Sequence, residues 1–466
     1  MSALWTSAEM EAATLGRATR AFESSGISID TRSLAPGDLF VALRGDNRDG
    51  HRFVPAALER GASAALVSHK PDEAAEDTPL LIVANTQRGL EDLGSAARKR
   101  AHGKIAAVTG SAGKTTTKEM LRLALGALGT THASASSYNN HWGVPLSLAQ
   151  FPRNSRFGVF EIGMNHFGEI RSLVGFVRPH VALVTTIAPA HLEYFGTVEA
   201  IADAKSELFE RLLPDGSAIV PAENPCTDRL VARARQADVK RILAFGQSAG
   251  ADARLLSITD ANPGMRVEAE ILGHRYTFAV GASGMHIAHN ALAVLLAVVG
   301  LEEDVAKAAA ALAGFSALKG RGARLALPLP GGAVEIIDES YNANPASMRA
   351  ALALLAEATP GSGGRRIAVL GDMLELGPQS AALHAGLANA VESANADLVF
   401  ACGREMRALY EALPPSRRGS WGATSSEIAP QIVRAVRAGD EVLIKGSLGS
   451  RMAVILDALK AGGGAT

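Results

Sequence analysis

One segment constrains this chain more than any other. Thr109-Gly110-Ser111-Ala112-Gly113-Lys114-Thr115-Thr116 follows the apolar run Ile105 to Val108 and precedes a helix-compatible stretch, Thr117 to Leu128. Strand, glycine loop and helix in that order build a phosphate cradle. Small residues let backbone N–H groups approach the phosphates and the helix N-terminus favours their negative charge. Lys114 can reach the terminal phosphates, and the Thr115 hydroxyl suits magnesium. Gly110, Ser111, Ala112, Gly113, Lys114, Thr115 and Thr116 are therefore the candidate ATP-phosphate residues. The usual GxxxxGK[ST] spacing is not met: Val108 stands where the first glycine belongs, and Gly110 leads instead.

At 466 residues the chain exceeds one ordinary core, and its length suggests about three domains. Lys+Arg and Asp+Glu nearly cancel, giving a net charge of -1, which offers no electrostatic capture of nucleic acid or an anionic membrane and favours small-molecule partners. Cys226 and Cys402 stand alone, without CxxC spacing, which argues against a zinc site or disulfide framework and fits a reducing cytoplasm. Met1 to Arg20 lacks a signal-peptide core, and the apolar stretch Ala291 to Val299 is too short to span a bilayer, so no membrane insertion is expected.

The apolar runs Leu39 to Leu43, Ala64 to Val67 and Leu80 to Val83, with the turn-rich Arg44 to Gly50, read as a small α/β domain over 1–100. A helix-compatible stretch, Leu90 to Lys104, leads into the glycine-loop strand. Further strands are expected at Phe157 to Phe160, Val181 to Ile187, Ala218 to Val220, Arg241 to Phe245, Arg266 to Ile271 and Tyr276 to Val280, then a helix from Ile287 to Val299. These make a central P-loop nucleotide-binding domain over 101–318. From 319 to 466 the strands Val334 to Ile337, Ile367 to Leu370, Leu398 to Ala401 and Val442 to Ile444 alternate with helix-length segments, as in a doubly wound, Rossmann-like domain. Pro328, Pro330, Gly331 and Gly332 read as a hairpin turn. Strand ends carrying Asp338, Gly371-Asp372 and Lys445-Gly446-Ser447 fall where open α/β sheets bind ligands. The fold class is α/β in three domains.

Glu161 ends a strand where a carboxylate can meet magnesium beside Thr115; an isolated strand-end glutamate is more often a surface residue, but the neighbouring Gly163-Met164-Asn165-His166 is hard to explain as core. His191, beyond another strand, reads equally as structural or as a site residue. Lys205, in Ile201 to Phe209, reads from spacing alone as part of a solvated helix face. The block Tyr138-Asn139-Asn140-His141-Trp142 suits a polar ligand as well as an ordinary loop.

Together these strings resemble the Mur ligases across nearly the whole chain. The resemblance is carried by Gly110 to Thr116 with Lys118-Glu119-Met120, Tyr138-Asn139-Asn140, Glu161-Ile162-Gly163-Met164-Asn165-His166 and Ala190-His191-Leu192-Glu193. In the last third it is carried by Ser340-Tyr341-Asn342-Ala343-Asn344-Pro345, Leu370 to Gly377 and Lys445-Gly446-Ser447. It implies an ATP-dependent ligase forming a C–N bond in cytoplasmic peptidoglycan synthesis, the step that adds D-alanyl-D-alanine to a UDP-N-acetylmuramoyl tripeptide through an acyl phosphate, and a role in cell shape and division.

The resemblance also implies residue roles. Thr31, Arg32 and Ser33 with Asp49, Gly50 and His51 would hold the UDP end, and Asn139, Asn140, His166, Lys445 and Ser447 other parts of the substrates. Asn290, Arg321, Tyr341, Asn342 and Asn344 would reach the nucleotide. Lys114, Glu161, His191 and Lys205 would be catalytic: Thr115 and Glu161 ligate one Mg2+, His191 and a carbamylated Lys205 a second, and the enzyme would act as a monomer. Glu339 replaces an aspartate more usual in the family. Leu448 replaces a basic residue, for which Arg451 is the expected substitute. A ligase adding the third amino acid, or a folylpolyglutamate-type ligase, fits the Gly371-Asp372-Met373 and Tyr341 to Asn344 blocks less well. A nucleotide-dependent switch would leave the uridine-side strings and the last third unexplained.

Overall fold

The computed structural model describes residues 3–45, 48–72, 74–135 and 137–463. Asp46 and Asn47 of the turn-rich segment, and the outermost residues of 1–100 and 319–466, lie outside them.

The first sheet runs Arg17–Ala18, Leu80–Ile82, Ala64–Val67, Asp38–Val41, Gly26–Ser28, parallel except for Arg17–Ala18, and a ribbon of Trp5–Thr6 with Glu23–Ser24 stands beside it. It is anchored to the next unit through polar bonds: the Trp5 indole N–H donates to the Ala149 carbonyl at 2.8 Å, and the Gln150 amide to the Ile27 carbonyl at 2.6 Å. The helix preceding the glycine-loop strand covers Thr86–Arg100, starting earlier than its apolar spacing suggests because Asn85 caps it through the Arg88 N–H.

The central sheet has nine strands, ordered His274–Val280, Met265–Ile271, Ala253–Asp260, Arg241–Gly246, Ser217–Pro221, Val181–Val184, Lys104–Thr109, Phe157–Glu161, Thr131–Ala133. Side chains alternate faces along a strand, and both faces are covered. Ile105, Ala107, Ala182 and Val184 join one core, whereas Ala106, Val108, Val181 and Leu183 join another beneath helices Lys114–Gly126 and Met285–Gly300. Each fully buried Leu or Ile there contributes about 1.5–3 kcal/mol relative to exposure. The run expected to continue to Ile187 leaves the sheet after Val184, because the loop turns back on the glycine loop: Ser111 N–H donates to the Thr186 carbonyl at 2.8 Å. Glu161 ends its strand, as expected, paired with Val108. The strand Ala253–Asp260 was absent from the sequence expectation.

The last sheet is ordered Ala323–Leu329, Gly332–Glu339, Glu441–Lys445, Arg366–Gly371, Leu398–Cys402, Arg418–Gly422 and is parallel beyond its first strand. Ala323–Leu329 and Gly332–Glu339 form the expected hairpin, turning at Pro330-Gly331. Ile337 and Leu443 pack on one face and Ile336, Val442 and Ile444 on the other, so the sheet is doubly wound with helices on both sides.

Candidate active site

Strand ends of the central and last sheets converge on a cavity of about 610 Å³. The glycine loop forms one wall. A Cβ at Gly110 would sit 1.8 Å from Thr185 Oγ1, so only glycine allows this approach, and Gly113 holds a left-handed φ of 79°. Gly113 is also the N-cap of helix Lys114–Gly126 and offers no side-chain cap, leaving first-turn N–H groups for an anion. Ser111 is committed to the fold: besides its N–H bond to Thr186, its hydroxyl meets the Ala188 backbone at 3.0 Å.

Lys114 lies inside the cavity wall with its Nζ donating to the Gly110 carbonyl at 2.7 Å. Burial pulls its amine below the usual lysine range, opposed by Glu161 and reinforced by Arg321. The Thr115 hydroxyl donates to Glu161 Oε2 at 2.8 Å, and Asn139 Nδ2 donates to Glu161 Oε1 at 2.7 Å. Asn139 thus holds the carboxylate, while Asn140 Oδ1 accepts the Trp142 and Gly143 N–H groups at the start of helix Gly143–Ala149 and does not line the cavity. Thr115 and Glu161 are hard oxygen donors of the kind Mg2+ takes with waters and phosphates completing the shell. Among the described residues no group of three or more His, Cys, Asp or Glu could hold a metal ion.

The last sheet supplies the facing wall. Asn344 Nδ2 donates to the Ser111 carbonyl at 3.0 Å while its Oδ1 caps helix Pro345–Glu357. The Arg321 guanidinium lies 4.0 Å from the Tyr341 ring centroid and donates to Ser137 Oγ at 3.2 Å. Lys445, buried, donates at 3.0 Å to both Glu339 and the Asn342 carbonyl, so the longer carboxylate at 339 meets a cation within the wall. Leu448 lines the cavity and is 64% exposed, whereas Arg451 is not among the lining residues.

His191 lines the cavity, and its Nδ1 meets the Glu375 carboxylate. Burial lowers its basicity, with Glu375 opposing. Lys205 corrects the reading from spacing: it is 1% exposed, not on a solvated face, and its side-chain amine has no hydrogen-bond or ion-pair partner among the described residues. Burial, with Lys114 second, holds its amine well below the usual range. The solvated side of the same helix is marked by Asp203, which pairs with Arg229 and Arg233.

Across this cavity the chain compares with known proteins from end to end. Successive family models match: the Mur ligase family, catalytic domain, over 23–112; the Mur ligase middle domain over 108–298; and the Mur ligase, glutamate ligase domain, over 327–448. The UDP-N-acetylmuramoyl-tripeptide--D-alanyl-D-alanine ligase of Escherichia coli is 34% identical over 94% of each chain. The chain belongs to the Mur ligases. The Rickettsia prowazekii protein of the same name is 30% identical over 97% of this chain and 99% of its own. Among solved structures, MurF from Acinetobacter baumannii aligns with a TM-score of 0.85 at 30% identity, covering 98% of this chain and 99% of that one. MurF from Thermotoga maritima in complex with ADP aligns at 0.76 and 26%, covering 94% and 97%.

In this Mur ligase the cavity gathers Ser111 to Thr116, Asn139, Glu161, His191, Asn290, Arg321, Tyr341, Asn342, Asn344 and Lys445, but not the uridine-side strings, Asn140, His166, Lys205 or Ser447. Arg32 forms a two-pronged pair with Asp30, and the Thr31 carbonyl accepts from Arg60, in the loop that also holds Ser33. Asp49 caps the short helix Gly50–Phe53 and holds His51 Nδ1 at 2.6 Å; Ser68 N–H reaches His51 Nε2 at 2.9 Å, so both ring nitrogens are engaged. His166 is exposed beside Glu169 and Tyr194. Ser447 Oγ joins Leu374 N–H to the Ala343 carbonyl. The strand-end acids Asp338 and Asp372 serve the fold instead of a ligand: Asp338 accepts from Ser340 and Gly320, Asp372 from the Met406 N–H.

The sequence reading missed Glu223, Asn224, His286 and His289 in the cavity wall. Two signals pointed to them. Glu223 and Asn224 follow the strand Ser217–Pro221, and His286 and His289 share a helix with Asn290 at four- and one-residue spacings. Among the described residues no helix is long and apolar enough to cross a membrane.

Proposed function

We infer that this Mur ligase joins D-alanyl-D-alanine to a UDP-N-acetylmuramoyl tripeptide at the expense of ATP, forming a C–N bond in peptidoglycan synthesis. The observation that carries this is its end-to-end relatedness, at 30% and 34% identity, to ligases of that name, together with a phosphate cradle facing Asn344 across the cavity.

A carboxylate oxygen of the tripeptide attacks the γ-phosphorus and ADP leaves, giving an acyl phosphate. The dipeptide amine then adds to the acyl carbon, and the tetrahedral intermediate expels phosphate as the amine loses its proton. Gly110 to Thr116 cradle the phosphates, Lys114 supplies positive charge to the transferring group, and Asn139 keeps Glu161 in place. Asn290, Arg321, Tyr341, Asn342 and Asn344 hold the nucleotide. Thr115 and Glu161 would hold one magnesium ion, and His191 with Lys205 a second, which when bound neutralise charge on the phosphoryl oxygens. A bare lysine ammonium cannot ligate a cation. The buried, weakly basic Lys205 amine, unpaired among the described residues, is suited to add CO₂ at nitrogen, lose a proton and present carbamate oxygens.

The three units divide the work: 1–100 binds the UDP end through Thr31, Arg32, Ser33, Asp49, Gly50 and His51; 101–318 binds ATP, with Asn140 and His166 towards the peptide; 319–466 receives the dipeptide through Lys445 and Ser447. The enzyme acts as a cytoplasmic monomer. Phosphate release with ATP, Mg2+ and UDP-N-acetylmuramoyl tripeptide should require D-alanyl-D-alanine; equal release with free amino acids, or none with the dipeptide, contradicts the assignment.

A further inference from the structure

His191 and Glu375 come from different sheet units, His191 beyond strand Val181–Val184 and Glu375 beyond strand Arg366–Gly371, and they meet side chain to side chain. Both hold left-handed backbone, at φ 57° and 62°, which non-glycine residues adopt rarely and keep only where surrounding structure enforces it. A second bond enforces it here: the Glu193 N–H donates to the Glu375 carbonyl at 3.1 Å. Gly377, also left-handed, closes the same contact, since a Cβ there would lie 3.3 Å from Glu193 Cα. The main chain thus docks the two loops without help from the Glu375 side chain, which leaves the carboxylate a separate task.

We propose that Glu375 is a positioning residue for His191, fixing the imidazole and its tautomer from across the junction of the two sheet units, so that the phosphoryl-transfer site is complete only when the last unit is docked. A carboxylate facing Nδ1 requires a proton there, which leaves the Nε2 lone pair as the free donor of the ring. A carboxylate bound to the far nitrogen of a ligating histidine orients the ring and raises its donor strength, and losing such a partner typically costs 10- to 100-fold in metal affinity or activity. The proposal rests on the reading that His191 serves a metal ion.

The test uses the full chain with ring-15N histidine, the His191 signals being identified by their loss in His191→Gln. In the metal-free protein the spectrum should show a protonated Nδ1 and bare Nε2 for His191, and Glu375→Ala should convert it to a mixture of tautomers. The same variant should lose about 10- to 100-fold in kcat with KM for ATP within about twofold, and Glu375→Gln, which keeps an acceptor, should recover part of the rate. The double variant Glu375→Ala with His191→Ala should be no slower than His191→Ala alone. An unchanged His191 tautomer in Glu375→Ala overturns the proposal, as do raised KM values with an unaltered ring spectrum, the mark of a mere clasp. Full activity in His191→Ala would overturn the metal reading instead, and the ring spectrum would still decide whether Glu375 sets the imidazole.

Discussion

Thr115 and Glu161 meet side chain to side chain, the threonine hydroxyl donating to one carboxylate oxygen at 2.8 Å while Asn139 takes the other at 2.7 Å. A helix, a strand and a loop thereby fix one carboxylate against the phosphate cradle. Glu161→Ala is expected to lower kcat at least about a hundredfold, the scale for removing a group that stabilises transferred charge. Circular dichroism and steady-state rates check it together; a folded variant ligating at the wild-type rate contradicts the role.

Lys114→Ala should do the same at the other side of the cradle. Among the described residues its Nζ has only the Gly110 carbonyl as partner within hydrogen-bond distance, so the loss should appear in turnover, again about a hundredfold, with little change in melting temperature. A large fall in stability with normal specific activity would mark Lys114 as structural.

Lys205 gives a sharper contrast. If its carbamate is required, Lys205→Arg stays inactive, because a guanidinium remains charged and cannot add CO₂. Lys205→Ala is likewise inactive, and a small carboxylate in solution restores part of its rate. An active arginine variant rules the modification out as a requirement.

Much of this was legible in the sequence. The cradle Gly110 to Thr116 and the alternating strands flanking it are local patterns, and they fold where those patterns put them. Lys205 was misread because its neighbours Asp203 and Glu207 look like a charged surface. Only tertiary packing shows that Asp203 faces Arg229 and Arg233 while Lys205 turns inward. Strand Ala253–Asp260 was missed because an irregularity between Leu255 and Ser257 breaks the alternation by which strands are recognised, and Arg418–Gly422 because its glycines carry little strand preference. Glu375 lay within a recognised string, but no sequence pattern pairs it with His191 across the two sheet units.

Stability should depend on pH through His180. Its Nδ1 accepts the Ile105 N–H at 2.9 Å, and burial, with Arg98 and Lys104, pulls it down to about 4 from 6.5. Between those values the unfolded chain binds the extra proton and the folded one does not, so stability rises with pH through this window and is lost as pH falls. Denaturant midpoints measured from pH 4 to 7 should show this slope, and His180→Gln should flatten it. An equal slope in the variant contradicts the assignment.

Asp440 is fully buried at the foot of the last sheet, where Arg365 donates to it from its backbone N–H and from the Nε and Nη2 of its guanidinium. Arg365→Ala leaves that carboxylate with only the more distant Arg437 guanidinium, at 3.9 Å, and should cost about 3 kcal/mol, at the lower end for a broken buried pair because Arg365 is itself partly exposed and Arg437 remains. Urea unfolding checks it; a change within about 0.5 kcal/mol would place the pair among surface contacts.

In the proposed reaction the tripeptide carboxylate takes the γ-phosphoryl group before the C–N bond forms. Tripeptide labelled with 18O in its terminal carboxylate, turned over with ATP, Mg2+ and D-alanyl-D-alanine, tests it directly by mass spectrometry of the released phosphate. One 18O atom should pass to phosphate for each dipeptide joined. Ligated product accompanied by unlabelled phosphate would contradict it.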